Sequence, residues 1–123
     1  MKSAVIVLSD PRGGDEALGR FLNALSVAYD YKQQGDEVSI LFLGAGTRWI
    51  AELNNTNHPA YTLFDSLKDT VAGISSGCAD VFGATEDVEK SAFNFIKDLP
   101  LPGTSGVPSL HAMASQGYTI MTF

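Results

Sequence analysis

Residues 3–8, Ser-Ala-Val-Ile-Val-Leu, are apolar on both faces instead of alternating. A strand that buries one face alternates polar with apolar residues. A run with no alternation reads as a central strand of a parallel sheet with helices on both sides. The stretch therefore predicts an α/β fold built outward from a central first strand. After it, Ser9 to Gly14 (Ser-Asp-Pro-Arg-Gly-Gly) is a loop. Asp15 is the expected N-cap of a helix whose apolar positions Leu18, Phe21, Leu22, Leu25, Ala28 and Tyr29 recur at three and four. Gly35 supplies its left-handed stop. Val38 to Leu43 is a second strand, so strand, helix and strand fall within roughly forty residues, as in a right-handed parallel βαβ unit.

Further along, Gly44-Ala45-Gly46 ends the second strand, and Thr47 is expected to cap a short helix carrying Trp49, Ile50 and Leu53. Asn54 to Pro59 breaks it, and Pro59 suits the first turn of another short helix with Leu63, Phe64 and Leu67 on one face. Val71 and Ile74 mark a third buried strand. Ser76-Gly77 reads as its exit and Ala79 to Phe82 as the first turn of a helix, which puts Cys78 between the strand's carboxyl end and the helix's amino end. Thr85, Glu86 and Asp87 open a helix predicted to reach about Lys97, with Val88, Ala92, Phe93, Phe95 and Ile96 as its apolar positions. Leu99 to Gly106 is an irregular packed loop, and Val107 is a candidate for a very short strand. Pro108 or Ser109 starts a last helix through Leu110, Ala112 and Met113, which Gly117 ends, and Tyr118 to Phe123 is the final strand. The pattern predicts one domain, 1–123, folded as a three-layer α/β/α sandwich with a mainly parallel sheet of four or five strands.

Composition bounds function. With 45% hydrophobic and 18% charged residues, the 123-residue chain reads as a soluble globular domain. A net charge of −6 and a pI near 4.6 argue against nucleic acid or an anionic membrane as partner, because both demand a basic surface. One cysteine cannot form an internal disulfide, and the apolar run from Ala4 stops at Leu8, too short for a signal peptide. The cytoplasm is the expected compartment. Asn54-Asn55-Thr56 matches a glycosylation sequon, which is expected to go unused in the cytoplasm.

In such a sheet, reactive groups collect in loops beyond the carboxyl ends of strands. Those loops are Ser9 to Gly14, Gly44 to Thr47, Ser76 to Ala79, and the segment around Ser105 to Ser109. Cys78 is the only thiol. At a helix amino end, unpaired N–H groups and the helix dipole favour a thiolate; a small buried hydrophobe is the plainer reading, and both stand. A redox pair would need a second cysteine where Val81 stands, and a phosphatase loop would need an arginine at Ala84. His58 and His111 are the only candidate bases. No spacing supports zinc, so neither a metal nor a cofactor is expected. Arg12, Gly13 and Gly14 invite a phosphate-binding reading but lack the Walker and dinucleotide spacings. Gly44 and Gly46 suit an anion or merely a tight turn. Trp49 fits a core or subunit interface, Glu86, Asp87 and Glu89 compensate a helix dipole, and Asp80 is expected to face outward.

The run Gly73-Ile-Ser-Ser-Gly-Cys-Ala-Asp-Val-Phe-Gly83, the closing Gly117-Tyr-Thr-Ile-Met-Thr-Phe123, and the opening strand with its long helix together resemble the DsrE/DsrF-like family over essentially the whole length. That family includes small subunits of sulfur-relay complexes such as the Tus and Dsr proteins. The resemblance implies a five-stranded parallel sheet of order 4-3-2-1-5, with a fourth-strand piece in Ser105 to Pro108. It implies that Gly77-Cys78-Ala79 is the most specific segment and that Cys78 matches the cysteine carrying persulfide sulfur, in a sulfurtransferase-type exchange between donor and acceptor proteins. It also implies homo-oligomers, trimers or hexamers. Two rivals stand beside it. One is a non-catalytic flavodoxin-like module using Gly13, Gly14, Gly44 and Gly46 around a small anion; the other is an oligomeric scaffold with an inert cysteine.

Overall fold

In the computed structural model, which describes residues 1–123, β1 (Lys2–Val7) is buried at every position after Lys2. It pairs in parallel with β2 (Glu37–Phe42) on one side and β5 (Tyr118–Thr122) on the other. β3 (Val71–Ser75) lies beyond β2, and β4 (Phe95–Ile96) forms the edge, giving an all-parallel sheet of order β4-β3-β2-β1-β5. The central first strand, the α/β class and the strand order are as the sequence led us to expect.

Strand alternation sorts side chains to two faces. Val5, Val7, Ile40, Phe42 and Ile74 face a core of 19 buried residues shared with α1 (Gly14–Gln33), α2 (Trp49–Glu52), α3 (Tyr61–Asp65), α4 (Ser76–Val81) and α5 (Thr85–Glu89). The opposite face has a buried apolar cluster of only three residues, Ala4, Ile6 and Leu41, beneath Leu110 and Met113 of α6 (Leu110–Ser115). The sandwich is therefore unequal, and most of the apolar driving force lies on the first face. There Phe21 of α1 stacks on Trp49 at 4.0 Å, and the buried indole N–H donates to the Ser9 carbonyl at 2.8 Å. Burying an aromatic ring of this kind stabilises by about 1.5–3 kcal/mol, and the hydrogen bond fixes the loop after β1 to the loop after β2. No helix is long and apolar enough to cross a membrane.

Several local expectations are corrected. α1 starts at Gly14 with Gly13 at its cap, and Asp15 lies in the first turn. The turn is organised by Asp10, whose side chain accepts from the Arg12 N–H at 3.0 Å and whose carbonyl accepts from the Gly13 N–H at 2.9 Å. Thr47 caps no helix: its hydroxyl donates to the Gly44 carbonyl inside a 3-10 turn over Gly44–Arg48. Pro59 stands just before α3, which begins at Tyr61. α5 stops at Glu89, short of the expected Lys97, because the Ser91 hydroxyl donates to the Val88 carbonyl and accepts from the Phe93 N–H, turning the chain out of the helix.

The fourth strand also lies elsewhere than the family resemblance suggested, at Phe95–Ile96 and not within Ser105 to Pro108. Val107 makes only an antiparallel bridge to Leu99. Close approach of β4 depends on Gly73, where a Cβ would stand 2.6 Å from the Asn94 carbonyl oxygen and 2.7 Å from Ile96 Cγ1. That carbonyl accepts from the Ile74 N–H at 3.0 Å. The C-terminal end of α1 and both ends of α6 follow expectation: Gly35 has φ +78°, Ser109 caps α6 through the Ala112 N–H, and Gly117 follows with φ +91°.

Candidate functional site

β3 runs directly into α4, and this junction positions the only thiol. Ser75 is the N-cap, its hydroxyl accepting from the Cys78 N–H at 3.4 Å. Cys78 is thus the third residue of the helix and does not precede it; Ser76 and Gly77, expected as an exit turn, form the first turn of α4. Ser75 had no role among the sequence expectations; a serine directly before the helix is the residue type that favours the N-cap. Cys78 is half-buried, between a buried Gly77 and a buried Ala79. Gly77 is held by its N–H donating to the Gly106 carbonyl at 2.7 Å, and a Cβ there would lie 3.1 Å from the same oxygen. Ala79 is part of the main core.

A polar chain straps the segment 103–106 to α4. The Ser105 hydroxyl donates to Asp80 at 2.7 Å, so its contact with the Ser76 hydroxyl, also 2.7 Å, must be made by the Ser76 proton. Thr85 donates to the other Asp80 oxygen at 2.5 Å. These two hydroxyls, Thr85 foremost, hold the Asp80 carboxyl below the usual carboxylate range. Asp80 is outward-facing as expected, but it is also the anchor of the strap. A shallow cavity of about 310 Å³ lies between α4 and the strap, lined by Gly77, Asp80, Val81, Gly103, Thr104 and Ser105. Val81, at 73% exposure, is the most open apolar side chain beside it. The bonds that Ser76, Thr85 and Ser105 make carried no sequence signal, because a hydroxyl's partner is set by long-range packing.

The other candidate residues gather elsewhere. Arg48 joins the loops after β1 and β2 to the end of α4, pairing with Asp10 at 3.0 Å and donating to the Phe82 carbonyl at 3.1 Å. Gly46 packs on β1 so closely that a Cβ would stand 2.3 Å from the Val7 carbonyl oxygen. Gly14 and Gly44 have φ +75° and +57°. Gly13 abuts Ala17, where an added Cβ would come within 2.7 Å. These four glycines therefore each have a packing or turn reason. Arg12 lines a cavity of about 110 Å³ with Arg48, Glu52 and Asp87, not with Cys78.

His58 accepts the Ala60 N–H on Nδ1 and sets its ring against Trp49, centroids 5.8 Å apart. His111 is exposed on α6, the helix covering the opposite face from the core that holds Ala79. Neither histidine shares a hydrogen bond with the Cys78 segment. No cluster of three or more His, Cys, Asp or Glu residues is arranged to hold a metal ion.

The five-stranded parallel sheet of order 4-3-2-1-5, with helices on both faces, places the chain among small α/β sandwich proteins, and Cys78 lies in the first helical turn after β3. The model of the DsrE/DsrF-like family matches residues 1–123, and the chain belongs to that family. It is 28% identical over 89 residues to an uncharacterized protein of Methanocaldococcus jannaschii, covering 72% of this chain and 73% of that one. No solved structure matches it.

Proposed function

We propose that the protein is a sulfur-relay carrier that holds persulfide sulfur on Cys78 and passes it between partner proteins. Membership of the DsrE/DsrF-like family is consistent with this role. The observation that carries the reading is local: both neighbours of Cys78 are pinned and buried, while the cysteine itself is half-exposed beside the open Val81. A carrier needs a fixed thiol that a partner's sulfur can reach.

The exchange needs one cysteine. The Cys78 thiolate attacks the outer sulfur of a donor hydropersulfide; the new S–S bond forms as the donor's S–S bond breaks, and the donor leaves as a thiolate. The outer sulfur keeps its proton or loses it to water, and no net oxidation occurs. An acceptor cysteine then repeats the attack on the Cys78 persulfide. The reading includes a cytoplasmic setting and a homo-oligomer, a trimer or hexamer, with Val81 as part of the partner-facing surface.

Incubation with a hydropersulfide donor followed by intact mass measurement tests it. The expected result is a gain of about 32 Da, one sulfur atom, removed by reductant and lost in Cys78→Ser. No reducible, Cys78-dependent gain overturns the proposal.

A further inference from the structure

The largest cavity lies at the other end of β3, away from Cys78. It measures about 590 Å³, within the range of about 300–1,000 Å³ typical of small-molecule sites. Its apolar wall is made by Ile50 and Leu53 of the α2 region, Phe64 of α3, Val71 and Ala72 of β3, and Phe93. It exists because β4 is short. β4 pairs only Ile74 and Ser75, and Ala72 is passed over by the register shift against β2, so Ala72 has no strand partner on either side and is exposed.

Three charged residues line the cavity, two lysines and one aspartate. Lys68 and Lys90 line the cavity from opposite segments. Lys68 pairs with Asp65 at 2.8 Å and Lys90 with Glu86 at 3.5 Å, both on exposed surface. Such pairs hold weakly, and an ammonium has three donors, so each lysine keeps donors to spare. The one carboxylate in the lining, Asp69, is taken by Lys32 at 2.7 Å. With Asp69 so engaged, the lining offers an incoming anion two ammonium groups over an apolar wall.

We infer that this cavity is a binding site for a small amphipathic organic anion, its apolar body against Phe64, Phe93 and Val71 and its carboxylate at Lys68 and Lys90. The site is independent of sulfur chemistry: it lies about 15 Å from the thiol end of β3, at ~3.3 Å per strand residue.

Indole-3-acetate and tryptophol share an apolar ring and differ in carboxylate against hydroxyl, so the pair tests both halves of the inference on the unmodified protein. In an NMR titration, indole-3-acetate should give saturable amide shifts at Val71, Ala72 and Phe93, with tryptophol about ten-fold weaker. Ala72→Trp, which fills the cavity from an exposed position, should abolish the shifts, and Lys68→Glu with Lys90→Glu should weaken them at least as much as loss of the carboxylate does. Absence of saturable shifts, equal affinity for tryptophol, or binding undiminished in Ala72→Trp overturns the inference. The sulfur-loading measurement is unaffected by any of these results.

Discussion

At its carboxyl end β3 runs straight into α4, where Ser75, Ser76, Gly77 and Asp80 are each hydrogen-bonded and the thiol sits among them. At its amino end Val71 and Ala72 border a cavity of about 590 Å³ with no β4 residue paired to them. One five-residue strand thus has a directional, polar terminus and an apolar, underfilled one. Hydrogen bonds fix distance and angle, so they suit a group that must be presented in one geometry. Apolar walls constrain shape loosely and suit a ligand recognised by bulk and charge. The short β4 separates the two regimes, since it reaches only the carboxyl half of β3.

Four experiments break or sharpen this contrast. The largest effect belongs to Cys78→Ser, which should remove sulfur loading altogether while leaving indole-3-acetate binding intact; loss of both would mean the two ends are one site. Next is Gly73→Ala, which forces a Cβ to within 2.6 Å of the Asn94 carbonyl oxygen. Overpacking against backbone costs about 1–3 kcal/mol, to be read by urea unfolding. The Ile74 amide should lose hydrogen-exchange protection with it, and an unchanged midpoint would refute the role given to Gly73.

Asp80→Asn is milder. It weakens two hydroxyl bonds and should raise exchange at the Gly77 amide a few-fold, with alkylation of Cys78 changing in step; an unaltered Gly77 amide would mean the strap is held by other contacts. The smallest effect is the pH dependence of the same strap. Hydroxyl donors lower the Asp80 carboxyl in the native state, so they favour its ionised form. The strap is then fully made above the ordinary aspartate value of about 3.9 and is lost as pH falls through the lower native value. Gly77 protection in wild type should therefore fall on acidification below about pH 4, and Asp80→Asn should flatten that profile.

The sequence was most legible where burial is two-sided or periodicity long. β1, α1, β2, β3 and β5 follow from apolar runs, the 3.6 period and Gly35, and the strand order followed from the family resemblance. The segment 92–96 misled because Phe93, Phe95 and Ile96 fit a helical face as well as an extended one, and a two-residue strand is too short to show alternation. What stopped the helix was a local bond from Ser91. At the site, Cys78 itself was legible, but because the helix was expected to start at Ala79 and Ser75 was given no capping role, its place inside the first turn was not legible. The strap was not, since Ser105 lies 25 residues from Asp80 and nothing local couples them. The glycine loops looked like anion sites because a glycine that admits a ligand and one that admits another strand's backbone read alike; Gly46 against Val7 is the second kind.

The central claim is that sulfur enters and leaves through Cys78. Trypsin should release residues 69–90 as the peptide that carries it, bounded by Lys68 and Lys90. After loading from a hydropersulfide donor and blocking of persulfides, that peptide should bear one extra sulfur, and brief exposure of the loaded protein to an acceptor thiol should return it to its parent mass. Donor consumption with no sulfur on that peptide, or sulfur there that no acceptor thiol removes, would contradict the account.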